Sequence, residues 1–360
     1  MNSVYIEITD VCNLHCSFCP CGIKAAQSNV GTHSSRTFMP SELFEKCIAG
    51  AEEIGAENVF FHVLGEPTLH PGFGLYVKKL EKTPLKLTLT TNGTTIARAS
   101  HLILPSEAVR QVNFSTHAYA ELPADEAASR LQDVLDFCRI AIVARPDLYI
   151  NLRLWNVGAE DAAPWNNYML SHINETFGTD VNPGHFCSRH KSFNVTGRLY
   201  LHEDTRFEWP KLDERREARD ERGAVLGERR ETRDERGTVL DERRETRDER
   251  GAVLGERRET RDERGTVLDE RRETVASNDR SQVVKGSCRA LDTHVAILHD
   301  GRVVACCLDH SGQITLGNIQ EQSLAEIIAS PLAQNLREGF EKHELRHPFC
   351  QMCSYCKRFK

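Results

Sequence analysis

The sequence is 360 residues long, is 39% hydrophobic and carries a formal net charge of -7 at pH 7. This length accommodates two domains or one large domain with an appendage, and the acidic balance offers no basic surface for a phosphate backbone, so we expect no nucleic-acid partner. Because no apolar run is long enough to cross a bilayer and the N-terminus, MNSVYIEITDVC, is not a signal peptide, we expect a cytoplasmic protein without a membrane partner.

Residues 3 to about 200 alternate between strand-like and helix-like segments. The patterns predict strands at residues 4–9, 58–63, 85–90, 110–117 and 148–154. They predict helices at residues 40–55, in the segment that ends near residue 82, and at residues 124–143 and 165–177. This alternation is typical of βα units around a parallel sheet, where chemistry gathers at the carboxyl ends of the strands.

The composition changes abruptly between residues 212 and 274. Near copies of LDERREARDERGAV recur there with a period of 14 residues. Each copy contains few apolar residues and a glycine, so it cannot bury a face of its own. We expect a solvated insertion, disordered or partly helical, with no catalytic role; a helix that binds a partner is the alternative.

After the repeats, residues 294–308 (HVAILHDGRVVACCL) predict a hairpin around an Asp300-Gly301 turn. A helical segment follows to about residue 342, before the terminal HPFCQMCSYCKRFK. These changes predict three regions: βα units around a parallel sheet at residues 1–210, the charged insertion at 211–275, and a small α+β extension at 276–360.

The thirteen cysteines are unevenly distributed, with four between Cys12 and Cys21 and six between Cys288 and Cys356. In a reducing compartment such groups indicate metal or redox chemistry rather than disulfides. The scattered Cys47 and Cys138, and less clearly Cys187, are interpreted as small buried hydrophobic residues.

The first group forms a C-x3-C-x2-C array directly after the first predicted strand. Its three thiolates, from Cys12, Cys16 and Cys19, can bind three irons of a 4Fe–4S cluster and leave the fourth iron open. A structural zinc site, with His15 or Cys21 as the fourth ligand, is the alternative.

The segment CNLHCSFC resembles the signature of the radical S-adenosylmethionine (SAM) superfamily, in which SAM chelates the open iron. The resemblance covers residues 3 to about 200 and implies a partial (βα)6 barrel. It also implies a set of SAM contacts: Phe18 before the last cysteine, Gly65 and Glu66 at the SAM amino group, Asn92 in the pocket, and Ser115 and Arg153 at the ribose and carboxylate. Leu64 departs from the family pattern, because a glycine is common at that position.

The resemblance also implies the chemistry. An external electron donor such as flavodoxin or ferredoxin reduces the cluster, SAM is cleaved to a 5′-deoxyadenosyl radical, and the radical abstracts hydrogen from the substrate. The sequence identifies no catalytic acid or base. His62, His70 and His117 lie near predicted strand ends and are candidate substrate contacts, although a structural role is the commoner one for such histidines.

The second group contains Cys288 and Cys306 on either side of the predicted turn, and the pair Cys350 and Cys353. Four thiolates suit a 4Fe–4S cluster or a structural zinc. Their spacing resembles the SPASM/twitch extension, most of all its twitch form, and therefore implies an auxiliary 4Fe–4S cluster for electron transfer. We expect Cys307 to point to the opposite face of its strand from Cys306. Cys307 and Cys356 are substitutes or bystanders.

The sequence therefore predicts a radical SAM oxidoreductase or modifying enzyme whose substrate is unidentified. Oxidation or rearrangement of a small metabolite is favoured, and maturation of a peptide or protein side chain is the alternative. The alternative from another class is a non-enzymatic zinc or iron–sulfur protein that uses the repeats as an interaction arm.

Overall fold

The computed structural model describes residues 1–27, 37–159, 162–186, 191–206, 208–210, 232–233, 239–240 and 284–358. Its contacts divide the chain into two compact units, one of residues 1–211 with 284–360 and the other of residues 212–283. No helix among the described residues is long and apolar enough to cross a membrane.

The strands of the first unit belong to one sheet. They are β1 Ser3–Ile6, β2 Asn58–Phe60, β3 Lys86–Thr91, β4 Val109–Phe114, β5 Tyr149–Val157, β6 Ser192–Thr196, β7 Leu199–Thr205, β10 His294–Ile297, β11 Arg302–Val304 and β12 Thr315–Asn318. They pair in the order β12-β11-β10-β1-β2-β3-β4-β5-β7-β6. Because β12 and β6 are the two edges, the barrel is open.

Six parallel strands, β1 to β5 and β7, form the barrel wall. The helices that follow them are α1 Pro20–Gln27, α2 Ser41–Glu53, α3 Phe73–Leu80, α4 Ile96–Ile103, α5 Ala124–Ala144 and α6 Ala162–Phe177. This arrangement confirms the predicted α/β fold class. Cys47 in α2 and Cys138 in α5 are fully buried, as expected, whereas Cys187 lies outside the described residues.

The barrel strands carry two different faces. In β5 every second residue, including Ile150, Leu152 and Leu154, is fully or almost fully buried. The residues between them, including Arg153 and Trp155, keep some accessible surface. Since side chains alternate along a strand, the apolar set packs in the core and the other set faces the barrel interior.

The C-terminal region extends the same sheet. β10 pairs parallel with β1, with Val4 opposite Val295, and β11 returns antiparallel to β10, which confirms the predicted hairpin. Three helices follow: α7 Leu324–Ile328, α8 Pro331–Glu341 and α9 Pro348–Met352. The strands β6, β7 and β12 were not predicted from the sequence.

One expectation about this region is wrong. β11 ends at Val304, so Cys306 and Cys307 lie in the turn beyond the strand. The alternation of side chains along a strand therefore does not separate them, and both thiols border the same cavity.

In the second unit, the described residues are two short strands that pair antiparallel, β8 Thr232–Arg233 and β9 Val239–Leu240. The expected disorder or partial helix of the 14-residue repeats otherwise falls outside the described residues.

Candidate active site

The N-terminal cysteines lie on the loop between β1 and α1. Cys12, Cys16 and Cys19 are each partly exposed, and the Cys19 amide donates to the Cys16 carbonyl oxygen at 3.0 Å. Burial raises the pKa of the Cys12 thiol to about 12 and of Cys16 to about 11. These thiols stay protonated in the absence of a cation, whereas a bound metal ion deprotonates its thiol ligands.

Cys21 lies against Cys19 on the first turn of α1. Their mutual hydrogen bond is the largest cause of a raised pKa at Cys19 and of a pKa lowered to about 7 at Cys21. The structure therefore places the fourth cysteine of this group beside the third.

A glycine anchors this loop to the segment after β2. Gly65 has a φ of +72°, and a Cβ atom built on it would lie 2.2 Å from the carbonyl oxygen of Thr9. The next amide, that of Glu66, donates to the Val11 carbonyl oxygen at 2.7 Å. Only glycine allows this close approach, which positions the chain directly before Cys12.

The Glu66 carboxylate is fully buried and accepts hydrogen bonds from other residues of the protein. It accepts hydrogen bonds from the Thr68 amide and hydroxyl, from the Thr91 hydroxyl at 2.7 Å and from the Asn92 amide at 2.6 Å. Burial raises its pKa, and these hydrogen bonds oppose that shift. Glu66 thus ties the ends of β2 and β3 together.

Asn92 connects the end of β3 to the cysteine loop. Its Nδ2 lies 3.7 Å from the Cys12 Sγ and donates to Asn13 Oδ1 at 3.0 Å. Its Oδ1 accepts from the Thr94 amide and hydroxyl. This amide is therefore oriented so that its donor faces the first cysteine.

An interior cavity of about 450 Å³ connects the two cysteine groups. Phe18 and Cys19 border it on one side, and the C-terminal cysteines border it on the other. Ser115 and Arg153 also line it, whereas Gly65, Glu66 and Asn92 are not among its lining residues. A larger open depression of about 940 Å³ lies at the opposite ends of the strands, and neither cysteine group borders it.

Arg153 extends into this cavity from β5. Its guanidinium lies 4.2 Å from the centre of the Trp155 ring, and the Trp155 indole donates to His202 Nδ1 at 3.0 Å. The side chain keeps some accessible surface because one side faces the cavity. The protein otherwise surrounds it closely enough for desolvation to lower its pKa to about 10.

Two of the three candidate histidines line the cavity. Burial, with a smaller contribution from Arg153, lowers the pKa of His62 to about 3. Burial lowers that of His117 to about 4, so both rings are neutral at pH 7. In the described structure the Nδ1 atom of His62 has no hydrogen-bond partner. His70 is structural instead, since its ring nitrogens bond Met39 and Gly72.

Six C-terminal cysteines border the far side of the cavity: Cys288, Cys306, Cys307, Cys350, Cys353 and Cys356. Burial raises the pKa values of Cys288, Cys306 and Cys350. The Cys356 thiol donates to the Cys353 carbonyl oxygen at 2.9 Å, and the Cys307 thiol contacts the Tyr5 hydroxyl. The fold thus brings residues 288 and 306 to the terminal C-x2-C pair.

Across the part of the chain that the structure describes, no three His, Cys, Asp or Glu side chains converge on one point as ligands of a single ion. The thiolates of a 4Fe–4S cluster each bind a different iron. Neither cysteine group therefore needs such convergence to hold a cluster.

One site residue that the sequence analysis did not identify is Tyr5. Tyr5 lines the cavity and stacks on Phe60, with ring centroids 4.4 Å apart. Its neighbours Val4 and Ile6 are fully buried, so the period-two alternation of β1 could have indicated it.

A second missed feature is a buried acid beside the loops. Glu7 accepts from the Leu64 amide at 3.0 Å, and its other oxygen lies 2.7 Å from His299 Nδ1. This pair joins the β10–β11 hairpin to the Gly65 segment. No local pattern marks it, because the partners are 292 positions apart.

Two family models match the chain, one on each cysteine group. The radical SAM superfamily model matches residues 6–149, and the SPASM model, an iron–sulfur cluster-binding domain, matches residues 288–357. Over 95 residues the chain is 33% identical to the tungsten-containing aldehyde ferredoxin oxidoreductase cofactor-modifying protein of Pyrococcus furiosus. That match spans 26% of this chain and only 24% of the relative.

Solved structures share the fold at low identity. Native anSMEcpe with bound AdoMet and Cp18Cys peptide aligns with a TM-score of 0.50 and 14% identity, over 99% of this chain and 87% of that one. BtrN in complex with AdoMet and 2-DOIA aligns with a TM-score of 0.43 and 13% identity, over 99% of this chain and 92% of that one. At these identities the similarity concerns the fold alone.

Proposed function

This chain belongs to the radical SAM superfamily and carries a SPASM cluster-binding domain, and from that premise we propose that it abstracts hydrogen from a small molecule held in the interior cavity. The observation that carries the proposal is the cavity itself, which Cys19 borders on one side and the C-terminal cysteines on the other. A substrate there lies between the two places where metal clusters are expected.

The cofactors of this family are a catalytic 4Fe–4S cluster, SAM and auxiliary iron–sulfur. The donor set fits them, because Cys12, Cys16 and Cys19 share one loop and burial disfavours free charged thiolates at Cys12 and Cys16. When bound and reduced, the catalytic cluster with SAM supplies the 5′-deoxyadenosyl radical. We propose Cys288, Cys306, Cys350 and Cys353 as ligands of the auxiliary cluster, which supplies an electron acceptor near the substrate.

The chain's own residues position the cofactor. We propose that Phe18 and Ser115, which border the cavity, meet SAM as the family resemblance implies. Gly65 and Glu66 hold the loop that carries Cys12 in place, and Asn92 directs its amide donor toward that thiol. These residues orient the cofactor before any bond is broken.

The cavity walls protect a reactive radical. Tyr5, Phe60 and Trp155 present aromatic surface, and the neutral His62 and His117 add no charge. Such walls exclude water and external reductants from the site. Each neutral ring keeps one N–H donor and one acceptor nitrogen, so the two histidines shape the cavity and offer hydrogen bonds without adding charge.

The cavity volume supports a small metabolite as the substrate. About 450 Å³ falls within the range of small-molecule sites, about 300–1,000 Å³. The alternative, maturation of a peptide or protein side chain, requires a single side chain to enter the same space. Either reaction needs an external reductant, for which we propose a flavodoxin- or ferredoxin-type protein.

Anaerobic reconstitution tests this function. Two 4Fe–4S clusters correspond to about eight irons per chain, and we expect dithionite plus SAM to release 5′-deoxyadenosine. Cys16→Ala should abolish the release, whereas Cys47→Ala, which changes a buried cysteine in α2, should retain it. Binding of zinc without iron would instead support the non-enzymatic alternative.

The auxiliary site needs its own test. Cys288→Ala should lower the iron content by about four atoms and should stop substrate oxidation while SAM cleavage continues. Unchanged turnover with an intact first cluster would refute an electron-transfer role for the second.

A further inference from the structure

Arg153 lines the interior cavity as a cation for which the described residues provide no counter-ion. Within the described residues, no carboxylate forms an ion pair with Arg153. The described contact of its guanidinium is with the Trp155 ring, whose centre lies 4.2 Å away. Enclosing a guanidinium in protein is unfavourable unless an anion compensates it. Since the described residues supply no such anion, a bound molecule that carries one would compensate the guanidinium.

The described lining of the cavity contains one carboxylate, and that carboxylate already has a cationic partner. Asp204 is the one carboxylate among the described residues that line it. This carboxylate is already paired with Lys191 Nζ at 2.7 Å. A second arginine, Arg289, also lines the cavity and is exposed at its edge. The described lining is thus positive before any ligand binds.

A further guanidinium, that of Arg206, lies near the cysteine loop and is not among the described residues that line the cavity. Arg206 lies over the Phe18 ring at 4.7 Å, beside the cysteine loop, and its Nε and Nη2 atoms are buried with no hydrogen-bond partner in the described structure. Arg153 extends toward Tyr5 and Cys307 on the side of the C-terminal cysteines. If the single carboxylate of SAM meets Arg206, Arg153 is left for another anion.

We propose that Arg153 binds an anionic group of the substrate, either a carboxylate or a phosphate. The forked guanidinium fits both groups through two parallel hydrogen bonds. This assignment rests on the proposed function and replaces the SAM contact that the family resemblance implies for Arg153, which leaves Arg206 beside Phe18 as the guanidinium available to SAM. An anion held at Arg153 places the rest of the substrate between the two cysteine groups.

Isothermal titration of the reconstituted, SAM-saturated full chain without reductant tests the proposal. The probes are inorganic phosphate and acetate. We expect saturable binding of at least one of them, and Arg153→Gln should weaken it about tenfold or more. Arg153→Lys keeps the charge but loses the fork, so its affinity should be intermediate. Tighter binding of phosphate or of acetate then identifies which anion the substrate carries.

Arg198→Gln is the matched control. Its guanidinium also lies over an aromatic ring, that of Tyr149 at 4.5 Å, but it does not line the interior cavity. Anion binding should be unchanged in this variant. Equal losses in both variants would mean a general effect of surface charge and would overturn the proposal.

Two further outcomes would also overturn it. In the first, the wild-type chain binds neither probe. In the second, Arg153→Gln weakens SAM binding and leaves anion binding unchanged. SAM binding is monitored here by the change that SAM causes in the EPR spectrum of the cluster. Release of 5′-deoxyadenosine by the wild type is measured separately. If release occurs without anion binding, this inference fails and the proposed function stands; if release fails, the proposed function is wrong.

Discussion

Replacing Gly65 by alanine tests how the barrel positions its cysteine loop. The added Cβ would lie 2.2 Å from the Thr9 carbonyl oxygen, whereas ordinary contact begins at 3.4 Å. One side must therefore move by about 1.2 Å. Thr9 is three residues before Cys12, so the movement should reach the first thiolate.

Two costs add at this position. A left-handed backbone costs an alanine about 1–2 kcal/mol, and forcing an extra carbon into packed backbone costs a further 1–3 kcal/mol, roughly. Gly55 separates the two effects, since its φ is +69° and nothing lies within 4 Å of a Cβ built there. Gly55→Ala should therefore show the conformational cost alone.

The assays are the melting temperature and the iron content of both variants after anaerobic reconstitution. Gly55→Ala should be slightly less stable and should bind about eight irons per chain. Gly65→Ala should be less stable still, should lose about four irons and should release no 5′-deoxyadenosine. If Gly65→Ala matched Gly55→Ala in iron content and SAM cleavage, the close approach to Thr9 would not matter for the cluster.

Two other predictions concern buried carboxylates. Glu66→Gln places an amide among donor groups from Thr68, Thr91 and Asn92, so the cluster-free chain should lose about 2–4 kcal/mol in urea unfolding. Glu57→Gln, at an exposed position, should change the free energy of unfolding by less than about 0.5 kcal/mol. Equal urea midpoints for the Glu66→Gln and Glu57→Gln variants would contradict this role of Glu66. Glu7 raises the pKa of His299, so the stability from this pair is complete below the unfolded pKa of about 6.5 and is lost as the pH rises through the raised folded value. The melting-temperature advantage of wild type over His299→Gln should therefore shrink from about pH 6 to about pH 9; an advantage that grew with pH would contradict it.

Much of the fold was predictable because its signals are local. The apolar alternation of residues 85–90 and the helical spacing of residues 124–143 each lie within one segment, and the structure places β3 and α5 there. Asp300 and Gly301 form the predicted turn, with Gly301 at a φ of +89°. The strands β6, β7 and β12 were missed: β6 and β12 are short edge strands, and β6 and β7 form a local hairpin that the sequence analysis did not identify.

The site divides in the same way. Cys12, Cys16 and Cys19 could be grouped from the sequence, because eight adjacent positions carry all three before any folding. The use of the Glu66 carboxylate within the protein, and the turn that holds Cys306 and Cys307 together, appear only in the folded chain.

By itself, the sequence determined the spacing of the N-terminal thiols and the βα order of the barrel, since both depend on residues a few positions apart. Only the tertiary structure decided that β10 pairs with β1 and that Glu7 meets His299. It also decided that Arg153 shares a cavity with both cysteine groups. Such contacts join positions hundreds of residues apart, and the packing of the whole sheet, rather than any local pattern, brings them together.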